Sequence, residues 1–453
     1  MRHRYGKVFR ECETLAAAGR LAGKNRESSL SALDGNVMVM QVPDAVRPLE
    51  GYVSVLCNSV FAAMAASKIV FVVFDEPEVL TLAKREEQAR RDMQRNRREV
   101  NVAHDLDPHP TTDEYTLADL QAVCDCHRVM ACRPARLRFI DELMRQVLQR
   151  CEQKMKSWEA QGFVRGAVLV DGVDPRGADR PVDHVREPTL VGTDSRLVEL
   201  FGHVDLPIGE GDMKLAHVAR RIRELVAADA VELQGCEMHL TVTIDTDSIA
   251  IELLEAAKRQ EKPLDGKRMS GMLCMRERGS KRARDGGEGG GGSHYLCCDT
   301  EHLHELLQQS MWKPAKQAPT PFGRRLAITF LVAGWALAGC DFVELKGLRA
   351  DVVLDSLPAL MTKHPEVLAR MSAAWGHDRE AAVEMTRALA HLLNRCSGWM
   401  HGLRGIKMDA VQRVAQAEQE EPDVLLRAAW TVCYWSGTEW RGPLDANGRP
   451  AAT

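Results

Sequence analysis

Apolar residues recur along this chain in two rhythms, and each rhythm predicts an element. Residues 1–35 carry them at helical spacing and end at Asp34-Gly35, a turn signal ahead of a strand predicted over Val37–Val42. Helical spacing returns in YVSVLCNSVFAAMAASK and passes into the β-branched run IVFVVF, which ends on Asp75. This reads as one β-α-β unit with an acid after each strand. From Thr81 to about Arg98 the pattern is helical and charged, and it breaks at HDLDPHPTTDE, where Pro108 and Pro110 disfavour helix. A further helix is predicted from roughly Leu137 to Trp158.

The middle of the chain alternates in the same way. Residues 162–206 are rich in Gly, Pro and Asp, with one strand expected at GAVLVDG. A helix over Met213–Ala228 follows Glu210-Gly211-Asp212, which places those acids at a helix N-terminus, where the macrodipole favours negative charge. The strand HLTVTID then delivers Asp245 and Asp247. Residues 258–294 include RERGSKRARDGGEGGGGS, too poor in apolar side chains to pack, and read as a flexible basic insertion. The run from Leu326 to Cys340 is apolar over 15 residues, short of the roughly 20 that span a bilayer, and reads as a buried helix. Beyond Asp341 the pattern is helical to about Ala429, and GPLDANGRPAAT reads as a disordered tail.

At 453 residues and 45% hydrophobic content the chain can bury a large core. The division expected is an α/β domain over 1–345 and a helical region over 346–453. The net charge of -4 conceals a local excess, because Lys84–Arg98 holds seven basic residues against three acidic ones. Such a stretch suits a phosphate backbone, and a solvated helix face explains it equally well. Thirteen cysteines without a regular framework, behind a charged N-terminus, point to reduced thiols in an intracellular setting, with SKRAR as a candidate nuclear address.

Candidate chemistry centres on seven carboxylates placed at or just beyond the ends of apolar runs: Asp44, Asp75, Glu210, Asp212, Asp245, Asp247 and Asp341. In an open parallel sheet the carboxyl ends of the strands share one edge, so acids from several strands converge there. A cluster of that kind repels itself unless divalent cations neutralise it. Oxygen donors without an essential His favour magnesium over zinc. Two such ions, with manganese as a substitute, can activate water and stabilise the leaving oxygen of a phosphodiester. Each acidic pair alone is weak, since helix capping explains it as well.

Taken in order, these segments resemble the flap endonuclease family of structure-specific 5′ nucleases, a PIN-like fold that also embraces 5′-to-3′ exoribonucleases. Asp44-Ala45 is similar to the end of the family's first strand, and VFVVFDEPEVLTLAKREEQARR to its second acidic strand and basic helix. GEGDMK resembles the exoribonuclease form of the Glu-x-Glu motif, Asp245-Thr246-Asp247 the Asp-x-Asp pair, and LAGCDFVELKGL the segment holding the last acid. The resemblance implies a helical arch or cap over residues 81–160 and a helical hairpin after Asp341. It further implies two Mg2+ ions on the seven acids, with Lys84, Arg85 and Arg91 contacting the scissile phosphate. The partner implied is DNA with a 5′ flap, junction or free end, in the nucleus or at a viral replication site, with RNA as the alternative substrate. The chain departs from the family pattern at Met1-Arg2-His3, where the family has Met-Gly, and at Gly347-Leu348-Arg349, where it has Gly-x-Gly. No sliding-clamp motif is recognisable, and a catalytically silent nucleic-acid-binding scaffold is the reading from another class.

Other constellations weigh less. Cys124, Cys126, His127 and Cys132, and His294, Cys297, Cys298, His302 and His304, lack paired CxxC spacing for zinc. Trp335 reads as core rather than as a base-stacking platform. No P-loop pattern occurs.

Overall fold

The run IVFVV has no polar member, and a strand buried on both faces of a parallel sheet is what such a run forms. In the computed structural model all five residues of Ile69–Val73 are buried at the middle of a mixed eight-stranded sheet. The structure describes residues 7–21, 28–40, 42, 46, 48–74, 133–162, 168–170, 189–191, 200, 211–228, 230, 233–245, 247–261, 270–276, 295–312, 328, 329, 331–336, 340 and 430–436.

The strands are β1 (Phe9–Cys12), β2 (Ser29–Asp34), β3 (Ile69–Val73), β4 (Val168–Val170), β5 (Thr189–Val191), β6 (Met238–Thr243), β7 (Ser270–Arg276) and β8 (Tyr295–Asp299). Their order across the sheet is β1-β8-β7-β6-β2-β3-β4-β5. From β7 to β4 every neighbouring pair is parallel, and antiparallel pairs flank this block at β8, β1 and β5. The α/β class expected from the sequence is therefore the class observed.

The helices named from the described residues are α1 (Leu15–Leu21), α2 (Gly35–Met40), α3 (Leu49–Ala66), α4 (Arg133–Ala160), α5 (Gly211–Ala227), α6 (Asp247–Glu261) and α7 (Thr300–Trp312). Alternation along the strands sorts the two faces. Val70, Val72, Met238, Leu240, Val242, Met272 and Cys274 face α1, α3 and α4 in one apolar core. Leu30, Ala32, Ile69, Phe71 and Val73 face Leu215, Val218 and Ile222 of α5 in a second. Helix α3 is long and apolar enough to cross a membrane by composition alone, yet nine of its side chains are buried within the protein.

Helix α4 joins α3 through an edge-to-face pair of Tyr52 and Phe139, centroids 5.5 Å apart, and a second pair of Phe61 and Trp158 at 6.1 Å. Residues 133–160, expected as half of a cap, thus form a crossover helix whose Phe139, Leu143, Val147 and Cys151 complete the first core. Residues 81–132 lie outside the described part.

The N-terminal expectation fails in an instructive way. Residues 1–35 do not form one helix: β1, α1 and β2 occupy the described portion. Strand β2 reads SLSALD, and its serines disguise a strand that is buried throughout. Ser31 Oγ meets Ser67 Oγ at 2.5 Å, so the buried hydroxyl is satisfied between strand and helix end. The strand predicted over Val37–Val42 is instead helix α2, because Asp34 Oδ1 accepts the Val37 N–H at 3.1 Å and caps it. The insertion expected over 258–294 likewise contains the end of α6 and the whole of β7.

Near the other end, residues 430–436 are helical, with Val432, Cys433 and Trp435 buried. Lys258 Nζ of α6 donates to the Ser436 carbonyl, so this late segment sits against the sheet domain.

Candidate metal centre

A parallel sheet whose chain grows first to one side and then to the other leaves a crevice at the carboxyl ends of the two strands where it turns back. Here β2 is that strand. The chain proceeds from β2 to β3 and β4 on one side, and β6 and β7 later fill the other. The register pairs Asp34 with Val73 on β3 and Leu33 with Val242 on β6, so Asp34 stands level with Thr243 at the shared edge.

Asp34, a turn residue by its sequence context, is the acid at the end of β2. Its side chain is 7% exposed. The segment before Asp44 is helical, so the strand end that placed Asp44 in the metal set does not exist. Asp44 itself lies outside the described residues. Gly35 follows Asp34 for a steric reason: a Cβ there would run into the ring of Phe74, the residue before Asp75. The ends of β2 and β3 are thereby held close.

On the other side of the crevice, the chain leaves β6 in a tight turn. The Asp245 N–H donates to Thr243 Oγ1 at 3.0 Å, and the Asp247 N–H donates to Asp245 Oδ1 at 3.0 Å. Asp245 thus stands just ahead of α6 and Asp247 is its first residue. Helix α5 brings Asp212 to the same place, where Ser248 Oγ donates to Asp212 Oδ1 at 2.6 Å. Trp335, on the helical residues 331–336, completes the group by donating from Nε1 to Asp247 Oδ1 at 3.2 Å.

Three predicted acids, Asp212, Asp245 and Asp247, therefore stand at or just ahead of the first turns of two helices that Ser248 links, with Asp34 on the same sheet edge. Both helix N-termini favour negative charge. Among the hydrogen bonds on these carboxylates are four from neutral donors, two backbone amides, a hydroxyl and an indole, which orient them. Lys214, two residues beyond Asp212, is fully buried on α5 and adds a cation to this end of the helix.

Carboxylate oxygens are the donor chemistry that a hard divalent cation such as Mg2+ prefers. Among the described residues, no three acids, histidines or cysteines alone are close enough to enclose a metal ion. Asp75, Glu210 and Asp341, each adjacent to a described element, lie outside them, as do Lys84, Arg85 and Arg91.

The zinc alternative finds no support in the described part. Cys297 lies beside Cys12 and Cys274 in the apolar core, and its thiol is pushed up by its bond with Cys274 and by burial. Cys298, its neighbour on β8, is fully buried, and burial raises its thiol too. Cys124, Cys126, His127, Cys132 and His294 are outside the described residues. Trp335 is buried, as expected. Its bond to an acid was not legible in the apolar run.

No model of a known protein family matches the chain, and no curated protein matches it.

Proposed function

We propose that this chain is a magnesium-dependent 5′ nuclease of the flap endonuclease kind, hydrolysing phosphodiester bonds in DNA. The observation that carries the reading is the meeting of Asp212, Asp245 and Asp247 beside the β2–β6 crevice that Asp34 borders. These four acids come from three places in the sequence, which structural capping alone does not require.

Asp34, Asp212, Asp245 and Asp247 would hold the metal together with Asp75, Glu210 and Asp341. Bound there, divalent cations supply an activated water and neutralise charge on the scissile phosphate. The protein's own part is positioning. The Asp245 turn and the Ser248 hydroxyl fix the acids, while Lys84, Arg85 and Arg91, carried over from the family resemblance, are proposed to bind the phosphate backbone.

The GEGDMK segment favours a second reading, a 5′-to-3′ exoribonuclease. Matched 5′-flap DNA, 5′-phosphorylated DNA and 5′-phosphorylated RNA, incubated with the full chain and Mg2+ or EDTA, separate the two. DNA cleavage that requires Mg2+ and vanishes in Asp245→Asn supports the nuclease assignment, and preferential RNA digestion shifts it to the second reading. Absence of metal-dependent cleavage on all three substrates leaves the scaffold reading.

A further inference from the structure

The hydrogen bond from Trp335 to Asp247 links residues 88 positions apart, and the indole that makes it is buried at 8% exposure. A tryptophan in an apolar helix normally serves the core, and its one polar atom needs a partner when buried. Here the partner is a carboxylate of the proposed metal centre. An indole N–H donates only and carries no charge. It restricts rotation of the Asp247 carboxylate without adding a charge of its own, which a lysine or arginine in the same place would do. The segment that holds Trp335 also leads, six residues later, into Asp341.

We infer that Trp335 is a positioning residue for metal binding: its indole N–H orients the Asp247 carboxylate toward the cation. This rests on the nuclease reading of the acids, in which Asp247 is a metal ligand. Partners that orient metal ligands typically change metal affinity by about 10–100-fold when removed.

The test uses the full chain and Mn2+ as probe, with free Mn2+ counted by electron paramagnetic resonance. Trp335→Phe keeps an aromatic ring and loses the donor. The expected result is Mn2+ affinity weakened by about tenfold or more, with the Mg2+ concentration for half-maximal cleavage rising in step and kcat at saturating metal largely restored. A second arm leaves Trp335 in place and so does not depend on the variant folding. In the 15N-labelled wild-type chain, one indole N–H resonance shifts on Mg2+ addition, and that shift is lost in Asp247→Asn. Wild-type Mn2+ affinity in a folded Trp335→Phe, or no metal-sensitive indole in a chain that binds Mg2+, overturns the positioning role alone. A wild-type chain that takes up no Mn2+ overturns the metal centre and this role together.

Discussion

Ser248 Oγ lies 2.6 Å from Asp212 Oδ1 and joins the first turns of α6 and α5, two helices that enter the sequence 36 residues apart. The serine is 3% exposed, so its hydroxyl has little access to water as an alternative partner. Replacing it with alanine removes a hydrogen bond to a charged group, a change worth about 1.5–3 kcal/mol. Ser248→Ala should lower the urea midpoint by a corresponding amount with an unchanged m-value. Metal-dependent cleavage should weaken alongside it.

Asp34 separates a structural from a chemical role. Asparagine keeps a side-chain oxygen that can accept the Val37 N–H, so α2 stays capped in Asp34→Asn. The negative charge at the β2 edge is lost. Cleavage should fall by about a hundredfold or more, as expected when several kcal/mol of charge stabilisation depend on the ligand set. Circular dichroism and melting should stay near wild type. Unchanged cleavage would remove Asp34 from the proposed metal set.

Gly35→Ala tests the approach of the two strand ends. The added methyl group meets the Phe74 ring, which is itself 5% exposed and has little room to turn. Overpacking of this sort costs about 1–3 kcal/mol. The expected outcome is a lower melting temperature. Gly35→Ala combined with Phe74→Leu should recover part of it, measured by thermal denaturation.

A pH-dependent contribution arises at Glu255, a fully buried carboxylate of α6. Arg220 and Arg223 of α5 stand 2.7 Å from its oxygens and Lys258 stands at 3.2 Å. Burial pushes its carboxyl up, and Lys258, Arg220 and Arg223 overcome that effect and bring it down to about 2 from 4.5. Because the folded value is the lower one, its stabilisation is complete above 4.5 and is lost as the pH falls from 4.5 toward 2. Glu255→Gln leaves three partly exposed cations without their shared carboxylate and should lower stability at neutral pH. The stability gap between wild type and variant, from urea titrations, should be widest near neutral pH and close on acidification.

Legibility in the sequence followed polarity. Strand β3 was evident because IVFVV has no polar residue, and β6 because its apolar alternation ends on two acids in HLTVTIDTD. Strand β2 was hidden by Ser29 and Ser31, whose hydroxyls are buried and satisfied in ways that composition does not reveal. Reading β2 as helix placed the first strand-end acid at Asp44, whereas the strand observed ends on Asp34. Asp212, Asp245 and Asp247 were recognisable from their spacing and do lie together. Ser248 and Trp335 were not, because each is defined by a partner distant in the chain. A serine one residue after an acid pair, opposite a second acid at a helix start, was the signal that could have marked Ser248.

The attachment of residues 430–436 to α6 bears on how the polypeptide can be divided. Trp435 is 1% exposed, and the Ser436 carbonyl accepts from a lysine that also pairs with Glu255. A truncation after residue 345 would remove that segment from α6, at the end of the helix opposite Asp247. Fragments for biochemical work that run through Ser436 keep this contact, and shorter ones lose it.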